Sequence, residues 1–274
     1  MTFLLAGLSS LLWGIADFLG GYFSRKIKVS FVLLISQFFG LLSVALYAWL
    51  AGESWTIEAL PFASLAGITG LLGLMFFYSA LSTGPMGIVS PIAALGAVVP
   101  VAYGYSQGEA PSSIQWIGIL IAIAGVTLAS GPELTGEVSA RPIVLAALAA
   151  VSFGSCLIFL AKGGSYSVTT TAIGMRVQSV AMLFLFVLVA KSFTKVQGSG
   201  LLWLAVIGVF DIGANVSLTI AAQSGLLSLV GMLGSLYPVI TVLLARLVLK
   251  ERLRSVQYVG VAIALSGVVA IASG

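Results

Sequence analysis

Three ionisable side chains stand inside long apolar runs: Asp17, Arg176 and Asp211. A charge at the bilayer centre costs about 2.5–3.5 kcal/mol on insertion scales, so each needs a partner or a task. Asp211 lies about halfway along its apolar run, and Arg176 about two turns into the preceding one. At about 1.5 Å per residue their backbones differ in depth by roughly 6 Å, within reach of an arginine side chain. One reading is a buried ion pair. The other is a pair facing a cavity, where it binds a zwitterion or relays protons. For Asp17 the local partners would be Arg25, Lys26 or Gln37, and the alternative is contact with the amine of a solute.

Amides and aromatic rings extend this set. Gln37 and Gln178 fall at similar depth, and Asn215 lies one helical turn beyond Asp211. Such amides either bond a neighbouring helix, worth about 0.6 kcal/mol, or line a midplane site. Trp13, Tyr78, Tyr103 and Tyr237 lie deep in their runs, where an indole N–H or phenol O–H needs a bundle interior or a wet cavity. The candidate substrate-binding residues are therefore Trp13, Gln37, Tyr78, Tyr103, Gln178, Asp211, Asn215 and Tyr237. Asp17, Arg176 and Asp211 form the candidate ion-pair or coupling group. Trp49, Trp55, Trp116, Trp203 and Tyr258 lie near the ends of runs, as interfacial anchors do.

Other chemistry is missing. No histidine is present, and the single cysteine, Cys156, lies in mid-run. This excludes an intrachain disulfide, a Cys/His metal cluster and a His-activated nucleophile. No Gly-x-x-x-x-Gly-Lys-Ser/Thr loop occurs. We expect no catalytic residues, no metal and no cofactor, and energy from a gradient or a separate subunit. The short loop charges make no nucleic-acid surface.

The elements that position these groups follow from composition. Of 274 residues, 60% are hydrophobic and 7% charged, with a mean hydropathy of +1.18. Soluble domains run near 25% charged, so the solvent for most of this surface is lipid. Segments near 2–23, 30–51, 60–82, 86–106, 113–131, 142–162, 170–190, 199–222, 226–249 and 256–273 are each long enough to cross a hydrocarbon core of about 30 Å. The expected fold is an all-α membrane protein of ten transmembrane helices, because barrel strands would alternate polar and apolar residues. No Lys or Arg precedes Arg25, so the first segment reads as a span rather than a signal peptide. Loops after the first, fifth, seventh and ninth spans carry most of the basic residues, and the opposite face carries Lys162. The positive-inside rule then puts both termini outside.

The halves repeat at an offset of about 140 residues. Trp13-Gly14 aligns with Phe153-Gly154, Gln37 with Gln178, Gly67 with Gly208, and Ala80–Gly84 with Ala221–Gly225. Glu109–Gly118 matches Glu251–Gly260, and Pro100 matches Pro238 with a small shift. The organisation reads as a first five-helix repeat over 1–131, a polar linker over 132–141, and a second repeat over 142–274. An odd number of spans per half inverts the second half, giving two inverted repeats around a central cavity. Pro91, Pro100 and Pro238 are candidate hinges within the fourth and ninth spans.

The Trp13-Gly14 opening, the Ala80-Leu-Ser-Thr-Gly84 close of the third span, the Pro91/Pro100 span, and Leu249-Lys-Glu-Arg-Leu253 with Gln257-Tyr-Val-Gly260 carry a resemblance. Through them the chain resembles the ten-span drug/metabolite transporter superfamily, its EamA-type exporters, and most closely the YddG-type exporters of aromatic and other amino acids. Gln107-Gly-Glu109-Ala departs from the family string, which has a longer basic turn there. The resemblance implies a secondary transporter exporting amino acids, aromatic ones included, or related small metabolites across the cytoplasmic membrane by alternating access. The expected partners are a small-molecule substrate such as an amino acid and the lipid bilayer. Ten spans suffice for a cavity within one chain, so a monomer is expected. Export of drugs or other metabolites is one alternative. A membrane-embedded enzyme would want several acidic or histidine residues at one interface, and a channel subunit would line its pore from several chains.

Overall fold

The computed structural model describes residues 2–110, 112–129, 139–196, 198–250 and 255–273, and among them all regular structure is helical. In chain order the helices are α1 (Thr2–Ser24), α2 (Val29–Ala51), α3 (Leu60–Thr83), α4 (Met86–Ala94), α5 (Val98–Ser106), α6 (Ser113–Ala129), α7 (Ala140–Gly164), α8 (Val168–Val189), α9 (Gly200–Ala222), α10 (Leu227–Gly234), α11 (Tyr237–Leu244) and α12 (Ser255–Ser273). Their ends carry ordinary stop and start signals. Gly52 closes α2 in the left-handed conformation with φ of 65°, which costs glycine nothing. Ser167 opens α8 by accepting from the Thr170 amide at 3.1 Å. Ser139 caps α7, so the linker read from sequence to residue 141 gives way to helix at Ala140. Its earlier part, 132–138, lies outside the described residues.

Eight helical stretches among the described residues are long and apolar enough to cross a membrane: α1, α2, α3, α4 with α5, α7, α8, α9, and α10 with α11. The expected count was ten. The other two helices, α6 of 17 residues and α12 of 19, pack most extensively on each other. Large apolar side chains such as Leu4, Trp49, Val189 and Leu247 point outward. In water that surface would be untenable, and in lipid it is the solvated face.

Two helical stretches lose their α-type hydrogen bonding part-way along. A 3-10 turn at Leu95–Ala97 separates α4 from α5, and a turn at Ser235–Leu236 separates α10 from α11. Each break lies just before a proline, Pro100 or Pro238. Proline has no N–H to donate and its ring crowds the carbonyl four residues earlier, here Gly96 or Gly234. The freed Gly234 carbonyl accepts from the Ser10 hydroxyl at 3.0 Å. Pro91, by contrast, sits inside a continuous α4.

Backbones approach closely wherever glycines interrupt the helix surfaces. A Cβ on Gly14 would strike the Tyr237 carbonyl, and one on Gly154 would strike the Gly96 carbonyl. Gly67 lies against the Met175 carbonyl, and Gly208 against that of Ser36. Gly125 faces Gly260 and Ala264, while Gly267 faces Gly118 and Ala122. Between lipid-solvated helices association relies on such close van der Waals contact, because apolar side chains gain little by leaving apolar lipid. α1 packs on α9 and α11, α3 on α7 and α8, and α2 on α8 and α9.

Candidate functional site: a polar cluster on a central cavity

A cavity of about 70 Å³ opens between the helices at mid-length of α1, α2, α8 and α9. One water needs roughly 10–15 Å³ by the same measure, so several fit. Its polar wall is built around Asp211. The Asp211 Oδ2 accepts from Arg176 Nη2 at 2.7 Å and from Gln37 Nε2 at 3.1 Å. The Asp211 Oδ1 accepts from the Trp13 indole at 3.2 Å and from Asn215 Nδ2 at 3.3 Å. Arg176 Nη1 donates to Gln37 Oε1, closing the ring of bonds. Four helices thus meet at one carboxylate.

The chain brings these groups together for simple geometric reasons. Asp211 and Asn215 are four residues apart and share a face of α9. Trp13 and Asp17 share a face of α1 in the same way. α1 and α9 pack face to face, and α2 and α8 cross beside them. Gly40 of α2 lies against Gly208 of α9, near the Arg176 guanidinium, and lets the two backbones close. The ion pair is almost wholly buried, at 3% and 7% side-chain exposure. Breaking such a pair costs about 3–5 kcal/mol, because it strands a charge.

The opposite wall is apolar. Gly70 and Leu74 from α3, and Phe153, Gly154 and Leu157 from α7, line it. Aromatic contacts join the two walls: Trp13 to Tyr237 at 6.5 Å, Tyr237 to Phe77 at 6.1 Å and Phe77 to Phe153 at 5.7 Å, all edge-on. The broken helices contribute Gly96 and Ala97 on one side and Gly234 and Ser235 on the other. Two buried polar atoms here have no hydrogen-bond partner, Arg176 Nε and the Tyr237 hydroxyl. Nearly all buried polar atoms are paired, so two unpaired ones on residues of the cavity wall set this region apart.

Of the sequence-derived candidates, Trp13, Asp17, Gln37, Arg176, Asp211, Asn215 and Tyr237 line this cavity. Tyr78, Tyr103 and Gln178 lie elsewhere. Tyr78 is buried against Gly20 with its hydroxyl donating to the Ala16 carbonyl at 3.4 Å. The Tyr103 ring is half-buried beneath Lys162 Nζ at 5.0 Å. Gln178 packs on Gly67 of α3. None of the local partners expected for Asp17 bonds to it. Arg25 donates to the Leu81 and Gly84 carbonyls, Lys26 to the Tyr22 hydroxyl, and Gln37 to Asp211. Pro91 and Pro238 line a second cavity of about 60 Å³ beside the breaks, and Pro100 packs on Gly231.

Sequence reasoning gave no site role to Cys156, Leu157, Met175, Ser179 or Ser235 on the cavity wall. Phe153 and Gly154 did carry a signal, their alignment with Trp13 and Gly14.

Comparison with known proteins places this architecture. A solved structure, described only as the crystal structure of a protein, is 21% identical and superimposes with a TM-score of 0.77 over 98% of this chain and 95% of its own. That likeness establishes a shared fold. No protein of curated function matches significantly in sequence. The profile of the EamA-like transporter family matches residues 1–131 and 140–273. Helices that suit lipid, a mid-length cavity and a family match over nearly every residue agree, and the chain belongs to the EamA-like transporter family.

Proposed function

We propose that this membrane transporter of the drug/metabolite type exports amino acids, including those with aromatic or other apolar side chains, or closely related small metabolites. The carrying observation is the cavity itself, with a charged and amide-rich wall facing an apolar one. An α-amino acid has the complementary division, a zwitterionic head and an apolar tail. Arg176 Nε, the Trp13 indole and the Tyr237 hydroxyl surround the head, and Phe153, Leu157 and Leu74 surround the tail. An Arg–carboxylate contact is among the stronger recognition elements available in a site shielded from water.

Transport proceeds by alternating access about this cavity, in a ten-span bundle whose second five-helix half is inverted relative to the first. Several features support that reading. α6 and α12 bring the eight membrane-length stretches to ten. The contacts of Gly14 match those of Gly154, Gly67 those of Gly208, and Gly125 those of Gly267. The family profile covers one stretch in each half. Both broken helices border the cavity, so rotation at Leu95–Ala97 and Ser235–Leu236 would open it to one face or the other. Basic loops facing the cytoplasm would leave both termini outside the cytoplasmic membrane.

Counterflow in proteoliposomes tests the function. Vesicles loaded with unlabelled phenylalanine should accumulate labelled phenylalanine transiently, and less so labelled drugs or nucleotide sugars. Absence of exchange with every amino acid tried would sink the proposal.

A further inference from the structure

We propose that Asp17 is an exchangeable monovalent-cation site: it holds the cationic nitrogen of the solute, and takes up one proton when the solute leaves. This deepens the amino-acid reading above and rests on it for the identity of the solute.

The starting point is charge balance within one cavity. The charged side chains of its lining are Arg176, Asp211 and Asp17. Arg176 and Asp211 neutralise each other at 2.7 Å. Asp17 is 5% exposed, lies on the cavity-facing side of α1 one turn from Trp13, and among the described residues receives no hydrogen bond and joins no ion pair. The remaining groups on neighbouring helices do not neutralise it. α9 presents Asp211, which is a like charge. α2 presents Gln37, whose amide serves Asp211 and Arg176. α3 presents Tyr78, which donates to the Ala16 carbonyl. α11 presents Tyr237, an uncharged hydroxyl, and α10 carries no titratable residue. One carboxylate therefore remains without a protein counter-charge at mid-depth in an apolar bundle. Bare charge in that setting is not sustained, so a mobile cation or a proton must accompany it.

The chemistry of the surroundings narrows the cation. A hard metal ion wants a shell of oxygens. Here the Asp211 and Gln37 oxygens are already taken up by Arg176, Trp13 and Asn215. The Ser179 and Ser235 hydroxyls donate to backbone carbonyls. Much of the remaining lining is an indole, an aromatic edge and the carbon surface of Leu74, Phe153 and Leu157. A protonated amine bearing an apolar group satisfies both the carboxylate and that surface. Exchange balances simply: the ammonium–carboxylate pair and one proton give the free ammonium solute and a neutral Asp17 carboxyl. No covalent bond in the solute changes. One proton moves opposite to each solute.

Wild-type protein, Asp17→Asn and Asp17→Glu in nanodiscs provide the test. The probes are labelled phenylalanine, phenethylamine, which lacks the carboxylate, and 3-phenylpropionate, which lacks the amine. Wild type should bind both amines and release about one proton per solute into weak buffer. Asp17→Asn should weaken both amines at least about tenfold and abolish the release, with 3-phenylpropionate unchanged. Asp17→Glu should restore binding. Unaltered elution and melting of Asp17→Asn exclude a folding effect. Retained amine affinity and proton release in Asp17→Asn would overturn the assignment. Should wild type bind none of the probes, the amino-acid reading fails, and the site is judged separately by infrared spectroscopy of the empty protein. A protonated-carboxyl band present in wild type and missing in Asp17→Asn sustains it; identical spectra overturn it.

Discussion

The two long walls of the central cavity carry residues that align with each other at the sequence offset of about 140, and they have opposite chemistry. In the correspondence that sets Trp13 on Phe153 and Gly67 on Gly208, Asp17 falls on Leu157, Asp211 on Gly70 and Asn215 on Leu74. All of these line the cavity. A repeat conserves where helices run and where backbones touch, because those depend on glycines and prolines. Side-chain polarity is free to diverge. Placing all the charge on one wall keeps the desolvation cost to a single network and leaves the other wall to fit carbon. Gly70 also withdraws its side chain from across the cavity, which leaves room beside Asp211.

The comparison breaks most sharply at its charged centre. Asp211→Asn should lower stability by about 3–5 kcal/mol, read as a large fall in detergent melting temperature, because Arg176 is left buried without its counter-charge. Gly70→Ala, at the corresponding place, should stay within about 1 kcal/mol, since the added Cβ meets only the Cys156 sulfur at 3.1 Å. Equal losses at both positions would remove the distinction between the walls.

A smaller effect should be shared. Gly67→Ala and Gly208→Ala each drive a Cβ into a carbonyl oxygen of the neighbouring helix, at Met175 or Ser36. Both should cost about 1–3 kcal/mol in the same melting assay, a symmetric outcome expected of scaffold positions. Tolerance at one and collapse at the other would show that scaffold diverges as polarity does.

The smallest effect lies at the breaks. Ser10→Ala removes the hydroxyl on the freed Gly234 carbonyl and should cost about 0.5–1.5 kcal/mol. Its counterpart position, Ala150, already lacks a hydroxyl, and there the backbone of α7 approaches Gly96 instead. Ala150→Ser should therefore bring no matching gain in melting temperature.

Much of this was readable from residue types. Arg176 and Asp211 announced themselves because charge inside an apolar run must be compensated, and helix rise alone puts them within reach. Pro100 and Pro238 foretold the interrupted helices, though not that the change to tighter turns would fall some two or three residues earlier. Rotational position was the harder quantity. Gln178 matches Gln37 in alignment, yet it lies two residues beyond Arg176, which is roughly 200° around α8, and so it packs on Gly67 rather than the cavity. Tyr78 likewise has the right depth and packs beside Gly20 instead. Helices apolar on every side give no periodicity to fix their facing. For the same reason Leu157, Met175 and Cys156 drew no notice, being ordinary apolar residues until neighbours leave a space beside them.

The reciprocal seating of α6 and α12 bears on how such a chain could assemble. Gly125 rests on the Gly260–Ala264 turn, and Gly267 on the Gly118–Ala122 turn, so each helix is both lock and key for the other. A surface that recognises its own counterpart needs no peptide bond to find it. Two separately translated halves, co-expressed, should therefore find each other and reassemble into one transporter.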